Sequence, residues 1–273
     1  MILDRINQAS AFVYEILAWP TLRLGPAWTM LWVSAITGIL CVWLFGRTSN
    51  QKAIESIKTR ISGNLIGVRL FQDDLGVVLR LQGTLLGLTL RYMAHSLVPM
   101  LVMMAPVVLI LAQMNAWYGA RPLKVGETAL LKVTVSDATM LMDLAVQPTE
   151  GLTIDAPPVR IPAEREAVWR LKAIAPSAEP LVLRVDSAEL TKSAVVAEEW
   201  TPVSSVRGTA WEDRLLYPRE TALGKTLGIE SVSLSYPNPP LRLLGVELHW
   251  LVWFFVLSMV IGFSLKGVLG VQI

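Results

Sequence analysis

The sequence predicts an α-helical membrane protein with three transmembrane helices and a cytoplasmic helical hairpin, joined to an extracytoplasmic β-sandwich domain. Three observations predict this class. The 273-residue chain is 53% hydrophobic and 17% charged, with mean hydropathy +0.51, more apolar than one soluble globule of this length. It holds three apolar runs close to the ~20 residues that a helix needs to cross the hydrocarbon core. From Leu123, between the second and third runs, the texture changes to short alternating segments punctuated by Gly and Pro.

Residues 1–26 open the chain with MILDRINQASAFVYEILAWP, too polar for the core of a signal peptide and without a small-residue cleavage motif. Ile6, Phe12, Val13, Ile16 and Leu17 recur at helical spacing and end at Trp19-Pro20, as in a helix lying in the membrane interface; a floppy terminus is the alternative. The first span, residues 27–46, contains AWTMLWVSAITGILCVWLF. The second, residues 96–117, contains LVPMLVMMAPVVLILAQMNAW, with Pro99 and Pro106 placed to kink it or free carbonyls. The third, residues 248–267, contains HWLVWFFVLSMVIGFSL and leaves a tail at 268–273. LGVVLRLQGTLLGLTLRYM is interrupted by Arg80, Gln82 and Arg91 and suits the interface better than a span.

Residues 47–95 carry Arg47, Lys52, Lys58, Arg60, Arg69, Arg80 and Arg91 against Glu55, Asp73 and Asp74, whereas residues 1–26 are balanced. The positive-inside rule therefore places 47–95 and the C-terminus in the cytoplasm and the N-terminus outside. Trp28, Trp32, Trp117, Tyr118, Trp250 and Trp253 then all fall at outer span ends, with Trp43 the exception. Within 47–95, Ile54, Ile57, Ile61, Leu65 and Val68 step by three or four, and the pattern resumes after DDLG through Leu75, Val78, Leu79 and Leu90. Two helices with a short turn make a hairpin, Asp73 or Asp74 capping its second arm. The hairpin either packs on itself or lies on the membrane to meet a client or partner.

Residues 118–247 form the outer domain. LKVTV, MLMDLAV and LVLRV alternate through Leu131, Val133 and Val135, through Met140, Met142, Leu144 and Val146, and through Leu181, Leu183 and Val185. AEREAVWRLKAIAPSAEPLVLRV reads as two strands joined by a Pro-containing turn, and ESVSLSY as another. These strands suggest a small sandwich of immunoglobulin-like outline, with no Cys…Trp…Cys spacing.

Several functions are set aside. The net charge of +2 is small and dispersed, which argues against nucleic acid. Cys41 stands alone, and His95 and His249 fall on opposite sides of the membrane, so no metal site, cofactor site or intramolecular disulfide is expected. No GxSxG, HExxH, CxxC or Walker-type loop occurs and the spans hold no carboxylate, so neither an enzyme nor an ion-coupled pump is expected.

The spans do hold mild polarity at Thr29, Ser34, Thr37, Gln113, Asn115, Ser258 and Ser264. Such residues serve as helix-packing glue or line an open groove. Met100, Met103 and Met104 near the cytoplasmic end of the second span add adaptable surface that suits varied apolar partners or plain lipid.

The residues EILAWPTLRLGPAWTMLWVSAITGILCVWLFGRTSNQKAIESIK and WLVWFFVLSMVIGFSLKGVLG, in this order of parts, resemble the core of the Oxa1/YidC/EMC3 superfamily of membrane protein insertases over about half the chain. The bacterial branch has a groove arginine in its first core span, where ITGILCVWL has none, and minimal members lack an outer β-domain. The resemblance implies a bacterial-type inner membrane and a groove that shelters polar client segments. Thr29, Ser34, Thr37, Gln113 and Asn115 would line it, with Met100, Met103 and Met104 contacting the client. The expected partners are the lipid bilayer and membrane protein clients or partner subunits. The alternative is a non-catalytic scaffold subunit whose β-domain binds an envelope partner.

Overall fold

A computed structural model describes residues 2–185, 188–224, 228–238 and 240–271. The chain divides into two compact units, Met1–Thr29 with Leu109–Val252, and Met30–Val108 with Trp253–Ile273. Helices α1 (Ile2–Leu22), α2 (Pro26–Thr48), α3 (Gln51–Leu70) and α4 (Leu75–Tyr118) come first, and α5 (Trp211–Leu216) and α6 (Trp250–Leu265) follow. By length and composition α2 and α4 can cross a membrane, and α6 is a shorter apolar helix of 16 residues.

Several boundaries differ from the sequence expectation. Helix α1 continues through Pro20 to Leu22, and Gly25, at φ +97°, makes the turn before Pro26 opens α2. The stretches expected as a second hairpin arm and a second span are one 44-residue helix, α4, which runs through Pro99 and Pro106 without a break. In the stretch expected as a third span, 248–267, the helix α6 is shorter, because the backbone of Leu248 pairs with Leu241 in a strand and Lys266–Gly270 turn.

In the unit built mainly of helices, Asn50 caps α3 by accepting from Ala53 N at 3.1 Å, and Asp74 caps α4 by accepting from Val77 N at 3.1 Å. Helices α3 and α4 touch at two levels: the Lys58 ammonium lies 5.9 Å from the Tyr92 ring centroid, and Leu81 packs where a side chain on Gly67 would sit. Ile54 and Ile57 are buried, while Leu65, Ile66, Leu70, Phe71, Leu75 and Leu79 around the α3–α4 turn are exposed.

The other unit carries the strands β1 (Thr128–Val135), β2 (Leu144–Gln147), β3 (Leu152–Ile161), β4 (Glu166–Ala173), β5 (Leu181–Val185), β6 (Ala188–Lys192), β7 (Val206–Gly208), β8 (Ile229–Leu234), β9 (Leu241–Leu243) and β10 (Val246–Leu248). One antiparallel sheet has the order β3-β4-β1-β8-β7, a second β2-β5-β6, and β9 and β10 form a separate hairpin. Alternation works as expected in β1 and β5, whose Leu131, Val133, Val135, Leu181, Leu183 and Val185 join Trp169 and Leu171 of β4 in one core shared by both sheets. Two details depart from the sequence pattern. Met140 lies in a 3₁₀ turn, Ala138–Leu141, that Asp137 caps, so the second strand begins only at Leu144 and Met142 is exposed. The strands β4 and β5 are sequence neighbours joined through Pro176 and Pro180, yet they belong to different sheets.

Polar interactions fix the edges of this core. Glu127 accepts two bonds from the Arg121 guanidinium, at 2.9 and 2.6 Å, and one from Lys124 N at 3.0 Å, just before β1. The Arg121 hydrogen bond, then the Lys124 amide, hold the Glu127 carboxyl down at about 2. Fully buried Lys192 donates to Ser204 O at 2.6 Å and to the Glu220 carboxylate, which also accepts from Ser193 N at 2.6 Å. Burial pulls the Lys192 ammonium below its usual range and the nearby Glu220 charge opposes that shift.

Two outcomes follow for this unit. Because Glu127 titrates lower when folded, its contribution, about 1 kcal/mol after allowance for partial exposure, is full above pH 4.5 and is lost as pH falls towards 2. The difference in thermal stability between the native chain and Glu127→Gln should therefore shrink across that window. Glu220→Ala strands a buried ammonium and should cost about 3–5 kcal/mol in denaturant unfolding, whereas Lys192→Met combined with Glu220→Leu should recover most of the loss.

Candidate functional site

The apolar helices of the second unit frame a concavity. A partly open cavity of about 420 Å³ lies between α2, α4 and α6. Its α4 wall is built from Tyr92, Ser96, Met100, Met103 and Val107, which step by three or four and so occupy one helix face. Thr37, Cys41 and Phe45 of α2 and Phe255, Met259 and Phe263 of α6 supply the other walls.

Glycine makes this geometry possible. A Cβ on Gly38 would stand 2.4 Å from Ser258 O and 3.2 Å from Gly262 N, and one on Gly262 would stand 3.3 Å from Gly38 O. The backbones of α2 and α6 therefore meet directly, as small residues allow in apolar surroundings. Ser34, Gly38, Ser258 and Gly262 form two small-xxx-small pairs, a signal present in the sequence.

The structure brings Thr37, Met100 and Met103 together in this cavity. It treats the other expected groove residues differently. Thr37 Oγ1 bonds Val33 O at 2.7 Å, and buried Ser34 faces Met30 Sδ at 3.7 Å, so each hydroxyl is satisfied within α2. Met104 is exposed and lies outside the cavity lining. Thr29, in the other unit, bonds Gly25 O at 3.1 Å and is buried.

Gln113 and Asn115 act as packing polarity in the other unit. Buried Gln113 donates to Ser10 Oγ of α1 at 2.9 Å, and Asn115 donates to Leu216 O of α5 at 3.3 Å. Asn7 of α1 donates to Arg214 O at 2.6 Å, and Arg219 pairs with Glu15 at 3.1 Å while its guanidinium lies 5.6 Å from the Trp117 ring. Trp200 donates to Trp117 O at 2.9 Å and packs on Trp117 and Tyr118, with centroids 4.8 and 5.2 Å away. The sequence offered no reason to single out Trp200, because its partners lie 82 and 83 residues before it.

The polar lining is thus sparse, and aliphatic, aromatic and thioether groups make up most of the cavity wall. Chemically it can hold hydrocarbon, with the hydroxyl of Ser96 as a local exception: this Oγ is buried and lacks a partner among the described residues. Fold and site together define a chain with two helices apolar and long enough to cross a membrane, a shorter apolar helix, a partly open apolar cavity and a β-rich unit. No protein-family model, no curated protein and no solved structure matches this chain.

If the glycine contact sets the cavity, Gly38→Leu should lower the thermal unfolding midpoint of the purified protein by several degrees, an overpacking cost of at least about 1–3 kcal/mol. Gly63→Ala, at a position of α3 with open space around it, should be neutral or stabilising by up to about 1 kcal/mol in the same measurement.

Proposed function

We propose that this chain is an integral membrane protein that assists the insertion or assembly of other membrane proteins, with α2, α4 and α6 as its three spans. Its N-terminus lies outside and its C-terminus in the cytoplasm, in a bacterial-type inner membrane. Helices α3 and the first part of α4 are a cytoplasmic hairpin. One observation carries the proposal. One helix, α4, bears exposed Leu75 and Leu79 near its start and Met100 and Met103 in the cavity wall, which in the proposed topology links the cytoplasm to the hydrocarbon. An incoming apolar segment meets the exposed leucines first and is then passed along α4 to a cavity whose methionines repack around varied side chains.

The apolar wall changes the mechanism implied by the family resemblance. A hydrophilic groove lowers the cost of carrying polar groups through lipid; this cavity instead offers apolar contact to a segment that has yet to find its partners. We read the outer domain as immunoglobulin-like. With β1 to β6 taken as strands B to G, the orders β3-β4-β1-β8 and β2-β5-β6 correspond to D-E-B-A and C-F-G, and β8 from the domain's far end takes the place of strand A.

A scaffold subunit is the second reading. The ties of Gln113, Asn115 and Trp200 to α1, α5 and the end of α4 favour it, because they immobilise surfaces that a passive connector would display.

Depletion of the protein, read out by insertion of short-tailed membrane proteins, tests the choice. Insertion should fall several-fold, and photo-crosslinkers at positions 100 and 103 should capture varied clients. Unchanged insertion with crosslinks to one fixed partner would sink the assembly function and leave the scaffold.

A further inference from the structure

Helix α4 divides its surface by chemistry. Leu81, Leu85, Leu88 and Tyr92 step by four and three on a face that is buried or half-buried, while exposed Arg80, Thr84, Arg91 and His95 share a second face. On a third lie Leu86, Leu90, Met93, Leu97, Met100 and Met104, each 51–64% exposed. Their spacing, 4-3-4-3-4, is that of the a and d positions of a heptad repeat, a stripe narrower than the apolar face of a helix packed on a globular core. Gly83 continues the repeat with no side chain to fill it and open space around it, so the stripe ends there, short of Leu79 and Leu75.

Lipid does not account for the whole stripe. At ~1.5 Å per residue the 44 residues of α4 measure about 66 Å, and a hydrocarbon core takes up about 30 Å of that. In the topology proposed above, Leu86, Leu90 and Met93 stand in the part outside it. An apolar stripe facing water there calls for a partner.

The flanking residues decide which partner. A foreign helix is selected across such a seam by charges at the e and g positions, which here hold Gly87, Ala94 and Leu101 on one side and Gln82, Thr89 and Ser96 on the other. None is charged. A copy of the same helix, laid parallel about a two-fold axis, sets each apolar residue against its own counterpart and no charge against a like one. The area also suffices: at roughly 100 Å² for a side chain of this exposure, six residues on each of two copies bury about 1,200 Å², where stable specific interfaces begin.

We propose that the chain forms a parallel homodimer in which α4 pairs with α4 of a second copy along Leu86, Leu90, Met93, Leu97, Met100 and Met104. Gly87 and Ala94 beside the seam let the two helices approach closely. Leu75 and Leu79 stay outside it, so each copy keeps the surface assigned above to clients, and Met100 meets the seam at the rim of the cavity. The dimer does not require that the protein assist insertion.

The test uses the full chain carrying Cys41→Ser, with one cysteine placed along α4 and oxidised by copper phenanthroline in membranes of the expressing cell. Leu86→Cys, Leu90→Cys, Met93→Cys and Leu97→Cys should give a disulfide-linked dimer several-fold more than Thr84→Cys, Arg91→Cys and His95→Cys. Mass spectrometry of that band should find this chain alone. In mild detergent, light scattering should give twice the 30.1 kDa chain mass; Leu90→Glu, which sets two carboxylates face to face, should halve it, and Thr84→Glu should not. Both positions are exposed, and a thermal scan checks that each variant folds. If Leu90→Glu does not fold, or detergent separates the copies, the cysteine pattern in membranes decides. No disulfide at the seam, equal crosslinking on both faces, or a different protein in the band overturns the dimer. Unchanged client insertion on depletion would instead reject the assembly function and leave the dimer standing.

Discussion

The backbone contact between α2 and α6 at Gly38 and Gly262 is the constraint on which the helical unit depends. Small residues facing each other let two helix backbones approach closely enough for tight packing and weak Cα–H···O contacts that larger side chains would prevent. Here a single added methyl would collide with the Ser258 carbonyl. With the backbones in contact, the larger side chains of α6, Phe255, Met259 and Phe263, frame a space against α4 instead of filling the α2–α6 seam. The seam is tight and the cavity beside it is soft, since its α4 wall is rich in methionine. Rigidity and adaptability therefore lie within one turn of each other.

Much of the helical layout was legible in the sequence, because the extent of α2 and the apolar second half of α4 follow from runs of apolar residues that need no tertiary information, whereas the fusion of two such stretches into one helix was not legible. The direction each face points was not. A helix apolar on every side has no stripe to mark its buried face, so Met103 in the cavity and Met104 outside it look alike on paper. Polar residues misled for a related reason. The hydroxyls of Thr29 and Thr37 bond the carbonyl one turn back, so Thr37 lines the cavity with its hydroxyl already engaged, and the sequence signal does not show this. The small-xxx-small spacing of Ser34-Gly38 and Ser258-Gly262 was the more informative clue.

In the β-rich unit, period-two alternation identified β1 and β5 but could not assign sheets. Whether β4 and β5 form a hairpin or cross between layers depends on the core they share, and the Pro-containing link permits both. Lys192 is a further case. Nothing near it in sequence announces burial, since its counter-charge, Glu220, is 28 residues away. Such a pair costs desolvation on both sides, and what it secures is the path of the chain after β6, where Ser193 N and Ser204 O are both engaged.

The edges of the sheets bear on how this unit meets other molecules. In the five-stranded sheet, edge strand β3 carries Pro157 and Pro158 within the second of its two shifts of register, and the opposite edge, β7, is three residues long. In the other sheet the edges β2 and β6 have four and five residues. Proline, irregular register and short length each deny an incoming strand a regular row of donors and acceptors. Copies of this unit crowded together would therefore find no regular edge along which to zip into fibres.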